Sequence, residues 1–361
     1  QHASPKGRKR IPQAQRAMDI PHQDAYSIPT GSEERENIPQ ALATVLGGCW
    51  SALPSNLEIT QLQGGITNRL YVVKAEKCPT VLVRVYGENT EVLISREMDI
   101  RNFSLLTANK FGPKLLGYFK NGRVEEFFDS AKTLEPADLS NPQMQERIAR
   151  ELQKMHSLDI PMENSSPTLF VTMDKWFDVV AGIQFDDEKK QTQLASIGIQ
   201  DKIHGEIRWV KDFLATVDSP VVFAHNDLLS GNILFRQYDD KILFVDFEYG
   251  SHNFRGFDLG NHFNEYAGFD FELYPSKYPD KESQINFLKA YDIAEGGDGS
   301  NVERLYVEAN SFALASNLFW GLWAIVQAKY SVIDFDFLTY GEQRFAGYYW
   351  LKSNVVPALP R

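Results

Sequence analysis

The stretch FAHNDLLSGNIL at residues 223–234, followed by FVDFE at 244–248, decides the fold. Short apolar runs on both sides of the polar letters predict strands joined in a hairpin. Asp227 and Asn232 then lie at the two ends of one loop, and Asp246 ends the returning strand. We therefore expect two carboxylates and one amide to face a single pocket.

Phosphoryl transfer requires this set of side chains. One carboxylate orients and deprotonates a hydroxyl, while an amide and a second carboxylate hold Mg²⁺ across the phosphates of a nucleotide. The order His-x-Asp-x-x-x-x-Asn, followed by an Asp-Phe pair, is also that of the catalytic and metal loops of kinases. The alternative interpretation is a hairpin whose polar residues simply lie on the protein surface. Such a hairpin does not require the spacing seen here between His225, Asp227, Asn232 and Asp246.

An upstream segment, GGITN, lies between two predicted strands and contains Gly64, Gly65, Thr67 and Asn68. Glycines between strands let backbone N–H groups approach phosphates closely. A pair of glycines alone is a weak signal, but its position before the hairpin is that of a kinase nucleotide loop.

A single cation, Arg84, is centred in the apolar strand VLVRV at 81–85, and Glu97 follows thirteen residues later on a predicted helix. Kinases pair such a strand cation with a helix glutamate near the phosphates. Three features differ from protein kinases: the glycine loop lacks the usual spacing, an arginine replaces the lysine, and Asp-Phe-Glu replaces Asp-Phe-Gly. We therefore expect a small substrate.

The sequence resembles the choline and ethanolamine kinases, a branch of the aminoglycoside-phosphotransferase-like kinases. The resemblance covers nearly all of residues 38–350, and its middle block is the most specific part. It rests on the following motifs: His225-Asn226-Asp227 with Asn232; VDFEY at 245–249 with Asn253, Arg255 and FD at 257–258; GNHF at 260–263 with Glu265; FWGLW at 319–323; and QAK at 327–329.

The resemblance implies a role for each matching residue and implies ATP and Mg²⁺ as cofactors. Asp227 would take the proton of the substrate hydroxyl, with Asn232 and Asp246 as Mg²⁺ ligands. The residues expected to bind ATP are Gly64, Gly65, Thr67, Asn68, Arg84, Glu97, Glu126 and Phe128. Asp258 would hold the catalytic loop through backbone hydrogen bonds, and His225 and His262 would be scaffold residues.

The resemblance also implies a site for the substrate ammonium, with Glu265 facing it. The aromatic wall of this site would consist of Trp320, Trp323, Phe335 and Tyr340. A cation over aromatic faces gains about 0.5 to 2 kcal/mol per favourable contact. Glu248 would support either the metal or the substrate.

The choice between ethanolamine and choline rests largely on Asp270, which stands where choline kinases of this family carry a tyrosine. A primary ammonium has three N–H donors that need acceptors, and a quaternary ammonium has none. The segments LLS at 228–230 and NHFNEYAG at 261–268 also look more like ethanolamine kinases. We therefore expect ethanolamine to be converted to phosphoethanolamine, the first step of phospholipid head-group synthesis. Choline, or both alcohols, is the alternative.

Two other classes share part of this pattern. An aminoglycoside phosphotransferase would also use Asp227, Asn232 and Asp246, but it needs an open acidic face and has little use for an aromatic cage. A catalytically inactive binding protein would not need every catalytic position intact. Growth on an aminoglycoside would identify the first class, and absence of ATP turnover with every amino alcohol would identify the second.

Strand patterns dominate the first part of the chain and helical patterns the second. This order predicts an α+β, bilobal, protein-kinase-like fold. Residues 1–36 carry a basic cluster and little apolar content, which is typical of a disordered tail. A small antiparallel β lobe with one helix would cover 37–128 and bind the nucleotide. A larger, mainly helical lobe would cover 129–361 and carry catalysis and substrate binding.

Composition limits the partners and the location. Lys and Arg number 37 against 48 Asp and Glu, and the net charge of −11 argues against a nucleic-acid partner. The uncharged run at 312–326 is interrupted by polar residues, which favours a core helix over membrane insertion. Cys49 and Cys78 are too few for a disulfide framework, which indicates a reducing, cytoplasmic compartment. Homodimerisation stays open, since related kinases are often dimers.

Overall fold

The computed structural model describes residues 20–29, 31, 33–52, 56–62, 68–88, 90–161 and 166–360. The chain divides into two compact units. The first comprises the chain up to Gly87 together with Arg96–Asp129, and the second comprises Glu88–Ser95 together with Ser130–Arg361. This division lies one residue from the predicted boundary at 128/129, except that the short segment before Arg96 groups with the second unit.

The first unit contains a six-stranded sheet in the order β1-β5-β6-β4-β3-β2. Its strands are β1 (His22–Gln23), β2 (Leu57–Leu62), β3 (Asn68–Ala75), β4 (Cys78–Tyr86), β5 (Leu115–Phe119) and β6 (Gly122–Glu126). Its helices are α1 (Glu34–Val45) and α2 (Arg96–Ala108). Neighbouring strands are antiparallel except β1 with β5, which agrees with the antiparallel lobe expected from the sequence.

Strand β4 shows how the pattern sets the two faces of this sheet. Val81, Val83 and Val85 are fully buried and belong to the core that also contains Ile38 of α1. Because side chains alternate across a strand, Arg84 must lie on the opposite face. The apolar strand thus holds its single cation away from the apolar core.

The predicted disordered tail is wrong for the part of 20–36 that the structure describes. Strand β1 pairs with β5, and Ile28 is buried in the core of the first unit. Glu34, at the start of α1, is also buried and accepts hydrogen bonds from Arg69 and Tyr71. Sheet-edge pairing and these long-range contacts order a segment that looks polar in isolation. Residues 1–19 lie outside the described residues.

The two cysteines also differ from expectation. Cys49 lies in a turn after α1, Cys78 opens β4, and a disulfide joins them. The two cysteines therefore no longer support the predicted reducing compartment. The sequence did not predict this disulfide, because the two cysteines are 29 residues apart. The packing of α1 against the sheet brings the turn with Cys49 to the start of β4.

The second unit is mainly helical. Its helices are α3 (Pro142–His156), α4 (Leu169–Ala181), α5 (Glu188–Ile197), α6 (His204–Leu214), α7 (Arg255–Asn264), α8 (Lys281–Ala294), α9 (Val302–Tyr330) and α10 (Phe337–Asn354). Its strands are β7 (Ala131–Thr133), β8 (Val221–Ala224), β9 (Ile233–Arg236), β10 (Lys241–Phe244) and β11 (Ser251–Phe254). They form a β10-β9-β7 sheet and a β11-β8 pair, so the predicted hairpin is present.

Helix α9 is the core of this unit and packs against α7 and α10. It is long and apolar enough to cross a membrane, but its most apolar window is entirely buried within the protein, which confirms the predicted core helix. A Cβ atom on Gly260 of α7 would lie 2.5 Å from the Ala309 carbonyl oxygen and 2.5 Å from the Ala313 nitrogen. Only glycine therefore lets α7 approach α9 this closely.

Candidate active site

The loop between β8 and β9 carries Asp227 and Asn232, and Asp246 follows β10. Two non-glycine residues here have left-handed backbones, Asn226 with φ 66° and Asp246 with φ 63°. Such conformations cost about 1–3 kcal/mol and persist only when surrounding contacts impose them. The contacts that hold this loop are therefore part of the site.

The first of these contacts is Asp258 on α7, a fully buried carboxylate. It accepts hydrogen bonds from the backbone nitrogens of His225 at 2.7 Å and Asn226 at 2.6 Å. His156 bonds the same carboxylate at 3.0 Å. The predicted role of Asp258 in holding the catalytic loop is confirmed.

The side chains of the loop supply the second set of contacts. The Asn226 amide donates to the Tyr249 carbonyl at 2.7 Å and accepts from Asn253 at 2.7 Å. His225 Nε2 bonds the Val245 carbonyl at 2.9 Å. These bonds tie the catalytic loop to the segment that carries Asp246.

Burial lowers the pKa of His225, and it lowers the pKa of His262 to about 4. Both imidazoles are therefore neutral near pH 7. Since His262 Nδ1 lies 3.0 Å from the Leu228 carbonyl, it can only donate there. These contacts agree with scaffold roles for both histidines.

Asn232 and Asp227 are joined directly. The Asn232 amide nitrogen donates to the Asp227 backbone carbonyl at 2.8 Å and to its Oδ2 atom at 3.1 Å. Both amide hydrogens are thus engaged inside the protein. The Asn232 Oδ1 atom accepts no hydrogen bond from the part of the chain that the structure describes, so it is available as a hard oxygen ligand.

Asp227 lies in a cluster of carboxylates. Burial raises its pKa well above the usual range, and the nearby charges of Glu265, Asp246 and Glu248 raise it further. Like charges in a site of low dielectric oppose ionisation. This region therefore favours cationic ligands.

One of these carboxylates has a buried partner that was not predicted. Arg344 of α10 is fully buried and donates from Nη1 to Glu265 Oε1 at 2.8 Å. Its guanidinium also lies 4.4 Å from the centre of the Phe271 ring. The Glu265 Oε2 atom accepts no hydrogen bond from any described residue. Glu265 thus keeps one oxygen for a further donor.

The predicted aromatic wall forms a continuous series of ring contacts. Neighbouring ring centres are 5.4 Å apart for Trp320–Trp323, 5.7 Å for Trp323–Phe337, 4.8 Å for Phe337–Phe335 and 5.8 Å for Phe335–Tyr340. The structure therefore brings all four predicted wall residues together. Phe337 is an additional member of the wall.

The wall and the carboxylates belong to one site. Burial raises the pKa of Tyr249 well above the usual range, and the charges of Glu248 and Asp227 contribute. The Tyr249 hydroxyl in turn accepts a hydrogen bond from Trp323 Nε1 at 2.7 Å. Tyr249 was not predicted as a site residue, although it directly follows the Asp-Phe-Glu motif.

The first unit contains a different charged cluster. Glu125 on β6 accepts hydrogen bonds from Arg84 Nε at 2.9 Å and from Arg123 Nε at 2.7 Å. Arg123 also bonds Asp99 of α2. This network joins β4, β6 and the helix.

The sequence profile of choline/ethanolamine kinases matches residues 59–349. The chain belongs to this family. An Arabidopsis thaliana protein described as a probable ethanolamine kinase is 42% identical over 313 residues, covering 84% of this chain and 80% of the relative. Ethanolamine kinase 2 of Mus musculus is 39% identical over 330 residues, covering 90% and 83%.

A solved structure supports the same assignment. An ethanolamine kinase from Plasmodium vivax superposes with a TM-score of 0.79 at 28% identity, covering 91% of this chain and 93% of its own. The predicted protein-kinase-like fold, with a sheet lobe and a helical lobe, is confirmed. As a choline/ethanolamine kinase family member, the chain is a small-molecule kinase with ATP and an amino alcohol as substrates.

The structure adds detail to two of the site predictions. The first is Asp270, which is exposed and lines a cavity of about 720 Å³ with Lys277 and Asp280. Neither Asp227 nor Glu265 lines that cavity. Gly268, with φ +59°, directly follows the Glu265 turn. Phe269, the residue before Asp270, contacts the rings of Phe335 and Tyr340, and the role of Asp270 in the preference for ethanolamine stays a prediction.

The second is the predicted pairing of Arg84 with Glu97, which needs correction. Glu97 is exposed in the first turn of α2 and forms no ion pair within the described residues. Arg84 bonds Glu125 of the neighbouring strand instead. The predicted strand-to-helix pair is wrong because a buried carboxylate directly beside the arginine satisfies it.

The other predicted nucleotide-binding residues stay predictions. Asn68 is buried at the start of β3 and accepts a hydrogen bond from Arg96. Glu126 pairs with Lys114 at the end of β6, and Phe128 follows it. Gly64, Gly65 and Thr67 lie outside the described residues.

Proposed function

We propose that this chain phosphorylates ethanolamine, using ATP. The observation that carries the proposal is Glu265, a buried carboxylate with one oxygen bonded to Arg344 and the other open to an N–H donor. It lies near Asp227 and Tyr340, as its effects on the pKa of both show. A primary ammonium held here would meet a carboxylate and aromatic faces together.

Asp227 is the proposed base. The hydroxyl oxygen of the substrate forms a bond to the γ-phosphorus of ATP, the bond from that phosphorus to the β–γ bridging oxygen breaks, and ADP leaves. The hydroxyl proton passes to Asp227. The bond from the Asn232 amide to Asp227 Oδ2 orients the carboxylate for this step.

Mg²⁺ fits the donors of this site. Asn232 Oδ1 and the Asp246 carboxylate are hard oxygen ligands, and Mg²⁺ commonly combines one or two such groups with phosphate oxygens and waters. When bound, the ion neutralises charge on the phosphates. We assign Asn232 and Asp246 as its ligands, and Glu248 as support for the metal or the substrate.

ATP binding is assigned to the first unit, through Asn68, Arg84, Glu126 and Phe128 together with the segment at 64–67. The alternation of β4 supports this for Arg84, since it lies on the face of the sheet away from the apolar core. Glu97 is exposed and forms no ion pair with any described residue, so it is left out of this set.

The names of the relatives favour ethanolamine over choline, since the Arabidopsis and mouse proteins are both described as ethanolamine kinases. Choline, or both alcohols, is the second candidate, because aromatic faces also bind a quaternary ammonium. An aminoglycoside would need an open acidic face, whereas Trp320 and Trp323 are 5% and 4% exposed.

The test is steady-state ATP consumption with Mg²⁺, comparing ethanolamine, choline and an aminoglycoside. We expect kcat/KM to favour ethanolamine at least about tenfold, which corresponds to about 1.4 kcal/mol of differential transition-state binding. A preference for choline would contradict the proposed substrate and leave the family assignment intact. Turnover of the aminoglycoside alone would contradict both amino alcohols.

Two further predictions accompany this function, a cytoplasmic location and no nucleic-acid partner, and the formation of a homodimer is a third point that stays open. The acidic net charge of −11 supports the second. The disulfide between Cys49 and Cys78 weakens the first. Thiol labelling before and after reduction, and sedimentation of the purified chain, test the first and the third.

A further inference from the structure

A second polar cluster lies behind the aromatic wall, where α7, α9 and α10 meet. Asn261, Asn264, Ser316 and Arg344 are all fully buried. Burial of a polar group is costly unless it is hydrogen-bonded. Four such residues in the core of a helical unit therefore need a structural reason.

The hydroxyl of Ser316 joins the three helices. It donates to Asn261 Oδ1 at 2.8 Å, and it accepts from Asn264 Nδ2 at 3.0 Å and from Arg344 Nη2 at 3.0 Å. A hydroxyl has one donor and two acceptor sites. Ser316 thus uses its full hydrogen-bonding capacity inside the protein.

Two branches of this cluster end on the proposed ammonium site. Asn261 Oδ1 also accepts from Trp320 Nε1 at 2.8 Å, which fixes one indole of the wall. Arg344 also donates to Glu265 Oε1 at 2.8 Å, which fixes the carboxylate. One side chain therefore separates Ser316 from each half of the site.

We propose that Ser316 is a positioning residue that holds the indole of Trp320 and the carboxylate of Glu265 in register, and thereby sets the preference for a primary ammonium. The inference rests on the proposed function. A hydrogen bond weakens steeply as its angle and distance depart from the optimum, whereas a cation over aromatic rings tolerates displacement better. Loosening this register therefore penalises ethanolamine more than choline.

The chain offers a matched control on the same helix. Ser311 is also fully buried on α9, but its hydroxyl has no hydrogen-bond partner among the residues that the structure describes. Ser316→Ala and Ser311→Ala thus delete the same atom from the same core. Only the first deletion removes bonds that lead to the ammonium site.

We expect S316A to raise the KM for ethanolamine about tenfold, equivalent to about 1.4 kcal/mol, and to leave the KM for ATP close to that of the wild type. The KM for choline should rise less. S311A should leave all three values unchanged. Thermal unfolding of both variants checks that each remains folded at the assay temperature.

Equal rises in the KM for ATP and for ethanolamine, or the same kinetic effect in both variants, would overturn the inference. An S316A enzyme with unchanged kinetics would overturn it as well. If S316A does not fold, Ser316→Cys serves as the second variant, because its thiol keeps the shape and weakens the hydrogen bonds. The same outcomes then apply.

Failure of the proposed substrate is a separate result. A wild-type enzyme that prefers choline refutes ethanolamine as the substrate. The difference between S316A and S311A, measured as the ratio of the KM for the alcohol turned over to the KM for ATP, still decides whether Ser316 positions the site.

Discussion

Glu125 in the first unit and Asp227 in the second are both carboxylates in charged clusters, but their neighbours differ. Glu125 is 1% exposed and lies between the guanidinium groups of Arg84 and Arg123. Asp227 lies near Glu265, Asp246 and Glu248, whose charges raise its pKa. One carboxylate thus has cations of its own unit beside it, and the other has further carboxylates.

The difference separates two uses of buried charge. A carboxylate bonded to two guanidinium groups joins strands and holds the sheet together, and removing it leaves charges without their partner. A carboxylate among like charges is unfavourable for the protein alone but suits cationic ligands. Replacing each carboxylate by its amide should therefore have opposite effects on stability.

The largest expected effect is on turnover. Asp227→Asn should lower kcat by about two to four orders of magnitude, the range for a lost general base, because the amide cannot accept the hydroxyl proton. ATP binding should remain close to normal. Steady-state kinetics with ATP titration measures both. Near-normal turnover would exclude Asp227 as the base. The comparison would then no longer contrast a structural carboxylate, Glu125, with a catalytic one.

The next effect is on the first unit. Glu125→Gln should destabilise the protein by about 3–5 kcal/mol, since it removes the negative charge that two buried guanidinium groups share. Denaturant unfolding measures the change. Glu58→Gln, on an exposed position of β2, is the control and should leave stability nearly unchanged. A stable E125Q protein would mean that this cluster resembles the Asp227 cluster after all.

A smaller effect is expected for the aromatic wall near Asp227, on binding of the amino alcohol. Trp323→Ala should weaken binding of the amino alcohol by about 0.5–2 kcal/mol, the range of one cation–π contact, and leave ATP affinity unchanged. Isothermal titration with each ligand separates the two. Trp209→Ala is a control, because Trp209 is 37% exposed on α6. Equal losses for both ligands would show that Trp323 acts only in packing.

The smallest expected effect is the stability of Asp227→Asn itself. Because the folded pKa of Asp227 is raised, its contribution to stability is fully present below the unfolded value of about 3.9 and is lost as pH rises through the folded pKa. The variant should therefore unfold about 2–4 °C above the wild type at neutral pH, a shift typical of about 1 kcal/mol. The difference should vanish near pH 4.

Thermal unfolding from pH 4 to pH 8 in the presence of a chelator makes this measurement. A variant that is less stable than the wild type at neutral pH would contradict the contrast with Glu125. It would mean that contacts other than ionisation dominate the position of Asp227.

Local sequence signals were sufficient for much of the fold. Asn141 caps α3 by accepting from the backbone nitrogens of Gln143 and Met144, as its position before Pro142 predicts. The Asn-Gly turn joins β5 and β6, as expected for that pair. These features depend on neighbouring residues, so the sequence reports them directly.

The catalytic loop could also be predicted, because its spacing is local. Asp227, Asn232 and Asp246 come together through one loop and one hairpin, and their order along the chain already defines that arrangement. Glu97 shows the limit of this reasoning. Its position thirteen residues after Arg84 predicted an ion pair, whereas Arg84 bonds Glu125 and Glu97 is exposed.

The sequence by itself determined much of the secondary structure, the family and the carboxylates proposed to do the chemistry, since motif spacing and hydrophobic period are properties of the chain. Only the tertiary structure decided which charges are paired. Arg344 reaches Glu265 across 79 residues, and Arg84 reaches Glu125 across 41. Such contacts depend on how helices and strands pack. The order of residues along the chain does not show which buried cation lies beside which carboxylate.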